Sequence, residues 1–165
     1  MVGHYEAMYL VMVVGLVVVA PVASVLIELL AAGGSGDVML LVGKWFTFWA
    51  VGVRLFTAGL SQVFRPGFTA STILAAKPDP SVNQIVQELG FANLAFGTLG
   101  ILSLPISGWL VPAALAGGLF LGLAGIRHIA KPHKSTKEWL ATLTDLLVFV
   151  VLLAFVIYAW ASSGS

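Results

Sequence analysis

The segment VNQIVQELGFANLAFGTLGILSL, residues Val82 to Leu104, contains the polar run Glu88-Leu89-Gly90-Phe91-Ala92-Asn93 within otherwise apolar surroundings. A helix that spans a bilayer needs roughly 20 mostly apolar residues, and this segment is long enough. A charged side chain at the bilayer centre costs about 2.5 to 3.5 kcal/mol on insertion scales. Glu88 and Asn93 are therefore expected to have polar partners on other helices.

The composition places the rest of the chain in a lipid bilayer as well. Of its 165 residues, 59% are hydrophobic and 9% are charged, whereas about a quarter of a soluble domain is charged. With a net charge of +1 and no long basic tract, nothing indicates binding of nucleic acid. The lack of cysteine excludes disulfides, thiolate metal sites and thiol catalysis.

Five segments reach spanning length when glycines, prolines and charge clusters are taken as breaks. They are Tyr5 to Leu30, Val38 to Phe64, Val82 to Leu104, Trp109 to Ile129 and Trp139 to Trp160. The predicted fold class is all-α, a polytopic transmembrane bundle of four to five spanning helices, in a single integral membrane domain over residues 1–165. Ala20 and Ala23 leave a cleaved signal peptide open as an alternative to a retained first helix, and Pro21 predicts a kink.

A shorter segment lies between the second and third spans. Phe68 to Ala76 is too short to cross the membrane and is bounded by charges, prolines and a glycine. It predicts a short interfacial helix, with a re-entrant helix as the alternative.

The distribution of basic residues predicts the orientation of the chain. Lys and Arg in short loops favour the cytoplasmic side. The basic residues between the spans all fall on the same side of the membrane as the N-terminus: Arg65, Lys77, Arg127, Lys131, Lys134 and Lys137. We therefore expect a multi-pass protein of the inner (plasma) membrane with a cytoplasmic N-terminus and an external C-terminus.

Polar side chains inside the spans form two groups by depth. At a rise of about 1.5 Å per residue, Glu88 and Asp145 lie about 9 Å from the cytoplasmic ends of their helices, and Arg54 lies about 15 Å from its own. The first predicted cluster pairs Arg54 with Glu88, and Asn93 and Asp145 complete its hydrogen bonds.

The second predicted pair joins Glu28 to Lys44, which lie at similar depths in the outer half of the bilayer. Two functions are compatible with these groups. Polar contacts commonly hold membrane bundles together, which predicts a structural or accessory protein. Alternatively, Glu88 and Arg54 form the site of a small transporter or proton-linked binding protein.

Signatures of catalysis, cofactor binding and metal binding are missing from the sequence. It contains no nucleophile elbow, P-loop or dinucleotide fingerprint, so an enzyme is the less expected alternative and no catalytic residue or cofactor is predicted. His4, His128 and His133 lack ligand spacing, so no metal site is predicted.

Small residues recur at four-residue spacing in the fourth span, at Ala114, Gly118 and Gly122. In lipid, such a strip lets two helix backbones approach closely. It predicts a packing face, used either within the chain or between two copies in a homo-oligomer.

Two runs carry a resemblance to a known kind of protein: RLFTAGLSQVFRPGFTA at Arg54–Ala70 and ELGFANLA at Glu88–Ala95. They resemble a bacterial and archaeal family of small multi-spanning membrane proteins of unknown function. That resemblance implies a polytopic fold and no activity. A looser likeness to four-helix DoxX-like proteins rests on size and hydropathy and concerns fold class alone.

Overall fold

The computed structural model describes residues 10–72, 77, 79–106, 108–130 and 136–164, and within these ranges all regular structure is helical. The helices are α1 Leu10–Ala31, α2 Val38–Phe64, α3 Pro66–Thr72, α4 Pro80–Leu102, α5 Leu110–Ile129 and α6 Thr136–Ser163. By length and composition, five of these segments could cross a membrane: α1, α2, α4, α5 and the Glu138–Ser163 part of α6. The predicted all-α bundle is therefore confirmed.

The helix bounds follow the predicted spans closely. α2 has the predicted bounds, and the bounds of α4, α5 and α6 lie within three residues of the predicted ones. The predicted start of the first span at Tyr5 lies outside the described residues. So does the end of the predicted interfacial segment, residues 73–76. Its described part, residues 68–72, lies in α3, which begins two residues earlier than predicted and has seven described residues, too few to span.

Two aspartates set the starts of long helices. Asp37 caps α2, where its side chain accepts a hydrogen bond from the Leu40 amide, and Asp79 caps α4 in the same way. At the end of α1, Gly33 and Gly34 adopt positive φ angles of 64° and 80°, which glycine tolerates. The turn between α1 and α2 is therefore short, from Ala32 to Asp37.

Two π-helical stretches interrupt the regular helices, at Gly15–Val19 in α1 and Thr47–Val53 in α2. The first lies just before Pro21, which lacks a backbone N–H and clashes with the preceding turn of a regular helix. The second lies directly before Arg54. An extra residue in a helical turn rotates the following face by about 100°, so the direction of Arg54 does not follow from regular helical spacing.

α2 lies at the centre of the bundle and contacts each of the other helices. On one side, it shares a buried apolar core with α1, α5 and α6. That core contains Val13, Val17, Phe46, Ala50, Val51, Leu55, Ala114, Leu121, Val148, Leu152 and Phe155. On its other side, α2 packs against α4.

Glycines bring the backbones of α2 and α4 together. A Cβ atom on Gly100 would lie 2.5 Å from the Gly52 nitrogen, and one on Gly97 would lie 2.5 Å from the Phe56 nitrogen. Such distances leave no room for a side chain. Packing of this kind substitutes for the hydrophobic effect between helices in lipid.

The strip of Ala114, Gly118 and Gly122 packs within the chain, against α6. Ala114 is fully buried, and Cβ atoms on the two glycines would lie 3.2 Å from Leu152 and 2.6 Å from Phe149. The strip thus serves as an intrachain packing face. Association of two copies through it stays a prediction.

Replacement of Gly97 by alanine tests the contact between α2 and α4. We expect Gly97→Ala to destabilise the protein by about 1 to 3 kcal/mol, because the new methyl group overlaps the backbone at Phe56. Gly15→Ala is the matched control, since no atom lies within 4 Å of its added Cβ. Unfolding in detergent micelles measures both, and an equal loss of stability in the two variants would contradict the close contact.

Candidate functional site

Arg54 of α2 and Asp145 of α6 form an ion pair inside the bundle. The Arg54 Nη2 atom donates to Asp145 Oδ1 at 2.6 Å, and the two side chains are 12% and 6% exposed. Loss of one partner of such a pair leaves an uncompensated buried charge, which strongly destabilises a fold. The second guanidinium nitrogen, Nη1, is buried and has no hydrogen-bond partner among the described residues.

Glu88 is not the partner of Arg54, so the predicted pairing is wrong. Its carboxylate is exposed and accepts a hydrogen bond from Gln84 Nε2, one turn earlier on α4, at 3.1 Å. The reason is that Glu88 lies on the side of α4 that points away from α2. The side of α4 that faces α2 is marked by Gly90, and Glu88 lies about 200° around the helix from it.

Asn93 faces α2 but takes no part in the hydrogen bond between Arg54 and Asp145. It is 5% exposed, and its Nδ2 atom donates to Gln62 Oε1 at 2.6 Å. The predicted cluster of four residues is therefore divided: Arg54 and Asn93 take part in two separate contacts between helices, and Glu88 bonds within α4. Gln62 was not predicted as a partner of Asn93, although it lies in the run Arg54–Ala70.

The predicted contact between Glu28 of α1 and Lys44 of α2 is present. Lys44 Nζ donates to both carboxylate oxygens of Glu28, at 2.7 and 2.8 Å, and Trp45 Nε1 donates to Oε2 at 2.7 Å. The ammonium group also lies 5.0 Å from the centroid of the Trp45 ring, within the range of a cation–π contact. Further along α2, Trp49 Nε1 donates to Ser24 Oγ at 3.0 Å.

The N-cap of α2 also binds α6. Tyr158 donates its hydroxyl proton to Asp37 Oδ2 at 2.7 Å, and this bond, together with the Leu40 amide, lowers the pKa of the Asp37 carboxyl. The amides of Ser81 and Val82 similarly lower the pKa of Asp79. A lowered pKa means that each contribution to stability is present at neutral pH and is lost as the pH falls through the folded-state value.

These contacts converge on one helix. Each polar contact between helices described above joins α2, or its N-cap, to α1, α4 or α6. The sequence did not single out five of the partners in these contacts, which are Ser24, Trp45, Trp49, Gln62 and Tyr158. Uncharged polar and aromatic residues are common in membrane helices, so their presence does not by itself indicate a contact. No group of three or more metal-ligating side chains occurs in the part of the chain that the structure describes.

A family model matches residues 6–165 of the chain. The chain belongs to that family, DUF6790, a family of unknown function. Comparisons with curated proteins and with solved structures found no match. The expectation of an uncharacterised family is thus confirmed, whereas the likeness to DoxX-like proteins is not shown.

The different directions of Asn93 and Glu88 predict different costs of substitution. Asn93→Leu should destabilise the protein by about 1 to 2 kcal/mol, because it leaves the half-buried Gln62 amide without its partner. Glu88→Gln should not destabilise the single chain, because it removes a charge that no cation among the described residues neutralises. Unfolding in micelles at high dilution measures both, and the reverse order would contradict the assignment of faces.

Proposed function

We propose that this member of the DUF6790 family is an integral membrane protein with a structural or accessory role, held together by polar contacts to its central helix. The contact between Arg54 and Asp145 carries the proposal. It joins two residues that are 91 positions apart in the chain, and both side chains are largely buried. A contact of this kind specifies which helices meet and at what depth.

The contacts to α2 support a scaffold more than a transport pathway. Asn93 donates a hydrogen bond from α4 to α2, and Glu28 of α1 accepts one from α2. These polar groups therefore join helices. In this scaffold, α1, α4 and α6 are each held to α2 by polar contacts.

A small transporter or proton-linked binding protein that uses Glu88 together with Arg54 is the weaker candidate. The two side chains belong to different contacts, and Glu88 is exposed whereas Arg54 is largely buried. Any proton-linked role would have to pass to Asp145, the buried carboxylate that Arg54 contacts.

A double-mutant cycle on Arg54 and Asp145 tests the structural role. Arg54→Leu and Asp145→Leu should each cost about 3 to 5 kcal/mol, because each leaves a buried charge without its partner. The double variant should be more stable than either single variant, since it leaves no charge behind. Unfolding in detergent micelles supplies the three differences in free energy.

The pair of Glu28 and Lys44 is the matched control for this cycle. Glu28 and Lys44 are 36% and 30% exposed and lie nearer to helix ends than Arg54 does, so Glu28→Gln and Lys44→Met should each cost less than the Arg54 and Asp145 substitutions. The Arg54/Asp145 double variant is then placed in liposomes with a pH-sensitive dye. Proton flux that the wild-type protein catalyses and this folded variant lacks would overturn the structural role in favour of transport.

We also propose that the protein is a multi-pass protein of the plasma membrane with its N-terminus in the cytoplasm. The chain has no cysteine, so Ser35→Cys, Ser135→Cys and Ser163→Cys give three single-cysteine variants. In intact cells, an impermeant maleimide should label positions 35 and 163 and leave position 135 unlabelled. Labelling at position 135 without labelling at position 35 would reverse the orientation.

A further inference from the structure

The short helix α3 packs against the polar first turns of α4. Thr69 and Ala70 of α3 are only 4% and 2% exposed. A Cβ atom on Gly67 would lie 3.6 Å from Oδ1 of Asn83 in α4. The first turns of α4, from Ser81 to Gln87, are rich in polar side chains, and the rest of the helix is mostly apolar. A spanning helix becomes polar where it leaves the hydrocarbon core, so α3 lies at the level of the bilayer surface.

The junction of α2 and α3, formed by Phe64, Arg65 and Phe68, presents two aromatic rings outward. Phe64 is 76% exposed and Phe68 is 49% exposed, although Thr69 beside it is buried. Helices that lie in the membrane interface place apolar side chains, phenylalanine among them, at the boundary between headgroups and acyl chains. The outer side of this α2–α3 junction therefore has the apolar surface of an interfacial element.

Arg65 lies between these two phenylalanines in the chain and has no acidic partner among the described residues. It is exposed, and both ion pairs of the described chain join other residues. Asp79, which caps α4, accepts hydrogen bonds from the amides of Ser81 and Val82. Glu88 bonds within α4, on the side that points away from α2. The α2–α3 junction therefore combines an unneutralised guanidinium group with exposed apolar surface.

A phospholipid supplies a partner for both parts of this junction. The planar guanidinium group binds two phosphate oxygens at once, and the exposed rings pack against acyl chains. A zwitterionic headgroup would bring its own ammonium group towards Arg65 and towards Lys77, which precedes α4 and is also exposed. An anionic headgroup adds no such repulsion, so the charge of the junction favours an anionic lipid.

We propose that the α2–α3 junction binds an anionic phospholipid, with Arg65 on the headgroup phosphate and with Phe64 and Phe68 against the upper acyl chains. This lipid site rests on the membrane location proposed above, because only a protein in a bilayer meets such a partner. It does not depend on the contacts between helices that support the scaffold.

Native mass spectrometry of the full chain, released from a neutral detergent, tests the lipid preference. The probes are phosphatidylglycerol and phosphatidylcholine with identical acyl chains. Phosphatidylglycerol should bind roughly fivefold more tightly, the effect of one basic residue near an anionic headgroup. Equal binding of the two lipids would overturn the proposal.

Substitution of Arg65 tests the site itself. Arg65→Gln should remove most of the preference for phosphatidylglycerol, because it removes the charge and the planar donor group. Arg127→Gln is the matched control, since Arg127 is exposed in the last turn of α5 and the same charge is lost. We expect a smaller loss from it, because Arg127 lies outside the α2–α3 junction.

An equal loss in the two variants would indicate a diffuse attraction and overturn the site. So would an Arg65→Gln variant that binds phosphatidylglycerol as the wild type does. Monodisperse elution in detergent shows that each variant folds, and Arg65→Ala replaces Arg65→Gln if the latter aggregates.

Two further measurements separate the lipid site from its alternatives. Inorganic phosphate, added at constant ionic strength, should not displace phosphatidylglycerol; displacement at equal concentration would identify a free anion as the ligand and overturn the lipid. Alkaline extraction of cell membranes tests the location, and we expect the chain to stay in the membrane fraction. A chain that is extracted overturns the membrane location, whereas one that stays but shows no lipid preference overturns the lipid site alone.

Discussion

The buried ion pair between Arg54 and Asp145 is the constraint on which the arrangement of the helices depends. An apolar helix in lipid gains little by preferring one neighbour over another, because lipid tails are as apolar as its own side chains. A buried charge removes that freedom, since its only adequate partner lies at one depth on one other helix. The pair thus brings the end of the chain back to α2 across 91 residues of sequence.

Close packing and polar contact act together around α2. Towards α4, the approach of Gly97 to the Phe56 backbone brings the helices near enough for Asn93 to reach Gln62. Towards α1, where the helices are linked by a short turn, Lys44 and Trp45 both contact Glu28. The scaffold proposed for this DUF6790 member rests on this combination, in which small residues set the distance and polar ones select the partner.

The run from Glu88 to Asn93 contains both an inner and an outer surface of the protein. Asn93 belongs to the interface with α2, and Glu88 points away from it. Five residues of a helix correspond to a rotation of about 140°, which separates the two side chains. A polar cluster in the sequence is therefore divided between two contacts by the geometry of a single helix.

The sequence by itself determined the helical class, the positions of the spans and the pair of Glu28 and Lys44. Hydropathy and length are local properties, and the short turn between α1 and α2 leaves their charged residues few alternative partners. Only the tertiary structure decided that Arg54 contacts Asp145 and that Glu88 points outward. Depth along a helix can be counted from the sequence, but the face on which a side chain lies depends on the π-helical stretch before Arg54 and on which helices become neighbours.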